Sequence, residues 1–594
     1  MIDLEHHIKA GLSAAFKELY EHEVDASALS LQPTKKEFEG THTFVVFPYL
    51  KVTRQKPEDA GTALGNYLLD HVSQVAAFNV VKGFLNLSLT DSTWTGALQE
   101  IFETENYGIA SPNGKKVMIE FSSPNTNKPL HLGHLRNNFL GDSVSRILAA
   151  AGYDAMKVNL VNDRGIHICK SMLAYQKFGE GETPASSGMK GDHLVGKYYV
   201  KFDLEYKAEI KQLMADGQSE EDAKKNAPLL LAAQQLLKDW ESGEAKAVGL
   251  WKQMNGWVYE GFDTTYGTMG IAFDKTYHES DTYLLGKDIV EEGLEKEIFF
   301  KKENGSVWVD LTDEGLDEKL VLRGDGTAVY MTQDMGTCDH KFSDFAFDQS
   351  VYTVGNEQDY HFKVLFKIMK RLGRSYADGL YHLSYGMVDL PTGKMKSREG
   401  TVVDADDLME EMFRTAENQT RELGKIEGMT EEEAGQLYKM LGLGALKYFL
   451  LKVDPKRRIL FNPQESIEFQ GNTGPFIQYT HARISALLRR AAQMEVNYDQ
   501  SIDQQLHSRE LDLINVLVQF PGIVQNAASD YSPSLVAQYV YELAKTYNGF
   551  YQELPIFAED AKDQMVLRLM LSTCTANVIK QAMELLGVQV PERM

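Results

Sequence analysis

Cysteine is scarce in this 594-residue chain: Cys169, Cys338 and Cys574 are widely separated and odd in number. They offer neither a disulfide framework nor the paired spacing of a zinc site, so a reducing compartment and no zinc are expected. Positive charge is also short. Against 85 Asp and Glu stand 61 Lys and Arg, a net charge of −24. That balance excludes indiscriminate nucleic-acid binding over the whole surface and leaves only local basic patches for any RNA contact. No apolar run approaches the ~18 residues of a membrane span. The acidic start Met1-Ile-Asp-Leu-Glu5 is unlike a signal peptide, so a cytoplasmic protein is expected. Internal repeats and low-complexity tracts are lacking as well. What remains is 43% hydrophobic and 25% charged, ordinary for folded protein and long enough for about four domains.

One stretch organises the rest: Phe121-Ser-Ser-Pro-Asn-Thr-Asn-Lys-Pro-Leu-His-Leu-Gly-His134. The apolar run Lys116–Phe121 before it reads as a buried parallel strand. After it, Leu135, Phe139, Leu140, Val144, Ile147, Leu148 and Ala151 recur at helical spacing, and Gly152 supplies a stop. Ala155–Val161 then reads as a second strand. Strand, loop, helix, strand is the half-unit of a doubly wound nucleotide-binding sheet. The loop has neither a glycine-rich phosphate fingerprint nor a Walker lysine. Instead His131 and His134 flank Gly133 at a helix N-terminus, where backbone donors already favour an anion. Two imidazoles add directional donors for a phosphate whose charge grows during reaction.

His131-Leu-Gly-His134 resembles the HIGH signature of class I aminoacyl-tRNA synthetases. The longer run Glu120–Arg136 resembles the arginyl-tRNA synthetases in particular. A second stretch, Gly393-Lys-Met-Lys-Ser-Arg-Glu-Gly400, is similar to the family's KMSKS loop, with Ser397 standing where a second lysine is usual. Members that lack the full motif carry a lysine just ahead of the histidines, the place of Lys128. The resemblance therefore implies His131, His134, Lys128, Lys394 and Lys396 as catalytic residues. It implies Asn125, Gly133 and Ser397 beside the histidines in an ATP site, with Mg2+ accompanying ATP as substrate and no protein-held metal. For arginine it implies Glu120, Ser122, Asn125, Glu279, Tyr330, Asp334 and Gln358. Carboxylates, carbonyls and an aromatic face suit a guanidinium, a planar fork of five donors.

Taken in order, Leu4–Leu19 forms an amphipathic helix, Thr43–Phe47 and Gly83–Leu89 strands, Ala60–Val75 and Thr93–Phe102 helices. Residues 1–110 are thus expected to be a small α/β domain. The resemblance makes it the added domain that contacts the tRNA D-loop through Phe84 and Asn86. A Rossmann-like catalytic domain spans 111–403, interrupted at about 176–270 by a charged helical insertion. Sheet-like segments within it fall at 298–302, 306–311, 320–323, 328–332, 351–354 and 381–385, with a helix at 358–372. From residue 404 helical periodicity takes over without convincing strands. Residues 404–454 are expected to form a helical linker and 455–594 an all-α bundle, which the resemblance makes the anticodon-binding domain. There Arg483 is the expected tRNA contact, and Tyr541, Tyr547, Phe550 and Tyr551 are candidates for base stacking. The fold class is α/β. The implied activity is ATP-dependent charging of tRNA(Arg) with L-arginine by a monomer without membrane association. A different class I ligase or a non-catalytic tRNA-binding relative is the alternative.

Overall fold

A computed structural model describes residues 4–35, 37–389, 403–424, 426, 428–494, 496, 498, 505–557 and 562–594. The N-terminal unit is a four-stranded antiparallel sheet: β1 (Leu31–Pro33), β2 (His42–Val45), β3 (Val75–Val81) and β4 (Phe84–Leu89), in the order β1-β2-β4-β3. The helices Leu4–Tyr20 and Pro57–His71 bury Leu12, Phe16, Leu64 and Leu68 completely. β3 corrects the expected helix to Val75. Lys82 and Gly83 both have positive φ, 50° and 77°, and form a two-residue hairpin turn that pairs Val81 with Phe84.

The central sheet is built from β5 (Lys116–Glu120), β6 (Asp154–Val161) and β7 (Lys275–His278). After a small antiparallel sheet of β8 (Phe299–Lys301), β9 (Val307–Val309) and β10 (Lys319–Leu322), it is completed by β11 (Gln349–Gly355) and β12 (Leu380–Tyr385). Its order is β7-β6-β5-β11-β12 and every pairing is parallel. The strand order reverses between β5 and β11, so the histidine loop leaves β5 at the topological switch point where such sheets take their ligands. Residues 328–332 are not a strand. Tyr330–Phe345 is a helix, since Met331, Met335 and Cys338 form one buried helical face.

Between β6 and β7 run the helices Ile166–Phe178, Gly191–Ala215, Pro228–Glu241 and Ala245–Met269. Beyond residue 403 the elements of the described residues are helices except for β14 (Ile459–Leu460), a two-residue strand that departs from expectation. It pairs in parallel with β13 (Val388–Asp389). In the C-terminal bundle the helix Lys562–Leu585 lies at the centre, with Leu567, Leu569, Met570 and Leu571 wholly buried. Each such side chain contributes ~1.5–3 kcal/mol. The bundle rests on the helix Leu132–Ala150. Ser143 Oγ donates to the Leu585 carbonyl at 2.8 Å, and Lys447 Nζ to that of Gly587 at 2.6 Å.

Candidate active site

The turn after β5 is held in an uncommon shape. Ser122 has φ 64°, and its backbone N–H donates to Asn137 Oδ1 at 2.6 Å. Its hydroxyl lies 2.8 Å from the Tyr266 hydroxyl and accepts from Asn138 Nδ2 at 3.2 Å. Non-glycine residues reach this left-handed region only when their surroundings fix it. The Ser122 side chain is 1% exposed, its hydroxyl engaged by Tyr266 and Asn138. Beyond it, Thr126 N–H donates to the Asn162 carbonyl at 3.1 Å, which leaves the Asn125 side chain exposed at the rim.

His131 and His134 then close the N-terminus of the helix Leu132–Ala150. Gly133 N–H donates to His131 Nδ1 at 3.1 Å, and His131 N–H donates to His134 Nδ1 at 3.1 Å. The ring centroids are 3.8 Å apart. A ring nitrogen that accepts carries no proton, so both imidazoles hold theirs on Nε2. Burial, with Lys128 adding to it, brings His131 down to about 4, and burial carries His134 well below its ordinary value. Both rings are therefore neutral near pH 7. The arrangement offers two fixed Nε2–H donors beside a helix N-terminus, a place suited to an oxyanion.

The ends of β6, β7 and β11, with the start of the helix Tyr330–Phe345, supply a different chemistry. Asp163 is 1% exposed and accepts from Tyr259 Oη at 2.8 Å, Ser280 N at 2.8 Å and Ser280 Oγ at 2.7 Å. Burial alone would raise its carboxyl, but donors from His278, Ser280 and Tyr259 hold it below the ordinary value. This hub fixes the turn that carries Glu279. Burial raises the Glu279 carboxyl, and Asp163 and Asp334 push the same way against Arg164. A carboxyl raised by burial and by neighbouring carboxylates is poised for a cation. Asp334 Oδ2 is 2.6 Å from His361 Nε2, Gln358 is exposed, and Tyr330 is 77% exposed at the start of its helix. Glu120 stands apart from this set. It is 6% exposed and ion-paired with buried Lys341, whose ammonium also lies 5.3 Å from the Tyr352 ring centre.

Other expected positions fare differently. Asn86 is fully buried, accepting from Thr43 Oγ1 at 2.6 Å and donating to Asn79 Oδ1 at 2.8 Å, so its amide is spent within the sheet. Phe84 is half-buried, with the Lys35 ammonium 5.7 Å from its ring centre. Tyr547 and Phe550 are core residues, while Tyr551 is 40% exposed over Arg483, with 5.6 Å between ring centre and guanidinium. Lys394, Lys396 and Ser397 lie outside the described residues. Sequence reasoning missed Asp163, Lys341 and Asn137. An acid two residues beyond a buried strand was the one signal for Asp163; long-range partners of the other two leave no local pattern.

Residues 97–462 match the family model for the catalytic domain of class I tRNA synthetases (R), and residues 477–594 match that of the DALR anticodon-binding domain. The chain is 56% identical over 590 residues to an arginine–tRNA ligase of Amoebophilus asiaticus, covering 99% of both chains. To one of Bacteroides thetaiotaomicron it is 54% identical over 595 residues, covering 100% of each. Its fold is similar to arginyl-tRNA synthetases of Thermus thermophilus (TM-score 0.81, 23% identity, 100% of both chains) and Plasmodium falciparum (TM-score 0.76, 19% identity, 99% and 98%).

Proposed function

The chain belongs to the class I arginyl-tRNA synthetases, and on that premise we propose how its residues divide the reaction. The carboxylate of arginine attacks the α-phosphorus of ATP in line; the bond to pyrophosphate breaks and arginyl-adenylate forms. The adenylate then passes its arginyl group to the terminal adenosine of tRNA and releases AMP. Catalysis of this kind is positioning and charge stabilisation. His131 and His134 donate from Nε2 to the phosphate oxygens, and Gly133 keeps the helix entrance free of a side chain. Lys128 faces the leaving pyrophosphate. Lys394, Lys396 and Ser397 join it on the strength of their sequence positions. Mg2+ enters bound to ATP through phosphate oxygens and water.

Glu279 and Asp334 take the guanidinium, with Tyr330 against its face and Gln358 and Asn125 at the rim. Glu120, claimed by Lys341, shapes the pocket wall instead of binding directly. The unit 1–110 meets tRNA through Phe84, the insertion at 176–270 lies toward the acceptor end, 404–454 links, and 455–594 meets the anticodon with Arg483. The enzyme acts as a monomer in the cytoplasm. One observation carries this reading: two neutral imidazoles, each pinned through Nδ1, stand at the N-terminus of the helix that leaves the switch point. ATP–pyrophosphate exchange with each of the twenty amino acids, with and without tRNA, tests it. Exchange should depend on arginine alone and require tRNA(Arg). Exchange driven by another amino acid would overturn the substrate assignment; equal rates without tRNA would overturn its requirement.

A further inference from the structure

Three parts of the chain meet at one carboxylate that touches no reacting atom. Asp406 lies in the first turn of the helix Ala405–Glu422. Its Oδ1 accepts from Thr265 Oγ1 at 2.9 Å; its Oδ2 is 3.1 Å from His193 Nε2 and ion-paired with Lys190. The Lys190 ammonium also donates to Thr265 Oγ1 at 2.5 Å and lies 3.2 Å from Asp192 Oδ2. Asp192 is fully buried, and a Cβ on Gly261 would come within 2.4 Å of its Oδ1, so the helices Gly191–Ala215 and Ala245–Met269 are locked together here. Asp192, His193 and Asp406 are close enough to hold a metal, but the Lys190 ammonium already takes the cation's place.

Asp404, two residues earlier, connects this junction to the phosphate site. Its carboxylate caps the helix through Asp406 N–H at 2.8 Å and lies 3.5 Å from His193 Nε2. Its backbone forms an antiparallel bridge with His131, flanked by Leu132 N–H to the Val403 carbonyl at 3.2 Å and Ala405 N–H to that of Leu130 at 3.0 Å. The helices between β6 and β7 thus hold Asp406, and the segment bearing Asp406 holds the loop of His131.

We propose that Asp406 is a positioning residue for adenylate formation: gripped by Lys190, His193 and Thr265, it fixes the segment that pairs with His131. The inference rests on the phosphate role assigned to His131. Burial opposes ionisation of Asp406, yet its donors bring it down to about 2, while Asp406 raises His193 above its ordinary value. The charged groups facing His193 are Asp192, Asp404, Asp406 and Lys190. Because His193 is raised, its grip is complete below pH 6.5 and is lost as pH climbs through the raised value.

The test is arginine-dependent pyrophosphate exchange across pH. Asp406→Asn should lower kcat ~10-fold and raise the KM for ATP several-fold, with the KM for arginine within about twofold. Asp406→Glu should recover part of the loss. Lys190→Met should give the same pattern from the other side, and the double variant should be no worse than the poorer single one. The alkaline decline in kcat/KM for ATP should vanish in His193→Gln. Equal losses for ATP and arginine, an additive double variant, or an unchanged alkaline limb would overturn the proposal. Should Asp406→Asn fail to fold, Lys190→Met and Thr265→Val carry the same measurements. A parent without arginine-dependent exchange would overturn the functional reading and this proposal together. A parent that exchanges while Asp406→Asn matches it would overturn the proposal alone.

Discussion

At one end of the site His131 and His134 are neutral rings, each pinned through Nδ1 so that an Nε2–H points outward. At the other, Glu279 and Asp334 present carboxylates; Asp163 anchors the turn of Glu279 and His361 meets Asp334. The first end meets charge with oriented dipoles, the second with formal charge. The difference suits the partners. A phosphate changes its charge distribution during reaction, so fixed donors favour the form in which charge is largest. A guanidinium stays cationic throughout, and selecting it demands acceptors of matching geometry.

His134→Ala should break the first end most severely. It removes a fixed donor and the acceptor that holds the His131 backbone, so kcat for exchange should fall ~10³-fold with little change in the KM for arginine. A loss that appears equally in both substrates would show that the ring is structural. Lys128→Ala tests whether a mobile cation supplements the neutral pair; adenylate formation should slow on the order of 10²-fold with tRNA affinity nearly kept. Asp334→Asn probes the other end. Since the carboxylate is partly exposed and shared with His361, the lower limit for a broken charge pair applies, about 2 kcal/mol or thirtyfold in kcat/KM for arginine. The KM for ATP should stay put, and canavanine, which keeps the fork, should remain a substrate of the parent.

Acid should separate the two ends with the smallest effect of the four. His131 is depressed to about 4, so the unfolded chain binds its proton more readily, and stability falls as pH drops below 6.5. Between pH 6.5 and 5.5 the loss from this group is about 1 kcal/mol. His131→Asn should flatten that slope in denaturant titrations; an unchanged slope would place the titrating group elsewhere.

Much of this was legible in sequence because the carriers are local. A branched apolar strand, a histidine turn and a 3.6-residue stripe follow one another within forty residues, and the parallel switch point follows from them. The acidic end rests on the resemblance alone, since Glu279 follows β7, Gln358 follows β11 and Asp334 lies within the helix Tyr330–Phe345. The partners of Glu120 and Ser122 were hidden for a physical reason. Lys341 and Tyr266 lie 221 and 144 residues away, and no local pattern announces a buried partner. Asn86 fell to the same limit: strand alternation could not say which face the second sheet neighbour would cover. The two-residue pairing of β13 with β14 is too short for any periodicity to register.

Arg136 shows where the enzyme can be cut. Its guanidinium, 2% exposed, donates to the carbonyls of Pro455 at 2.9 Å and Arg457 at 2.8 Å. Burial brings it down to about 10. It hangs from the same helix as the signature histidines, yet its acceptors sit past Asp454, beyond the end of the helix Glu431–Leu451. A catalytic fragment ending at Asp454 would strand a cation in the interior, whereas one extended through Asn462 would keep both acceptors and the β13–β14 pair. Anyone dividing this chain to obtain its catalytic half alone should draw the border after Asn462.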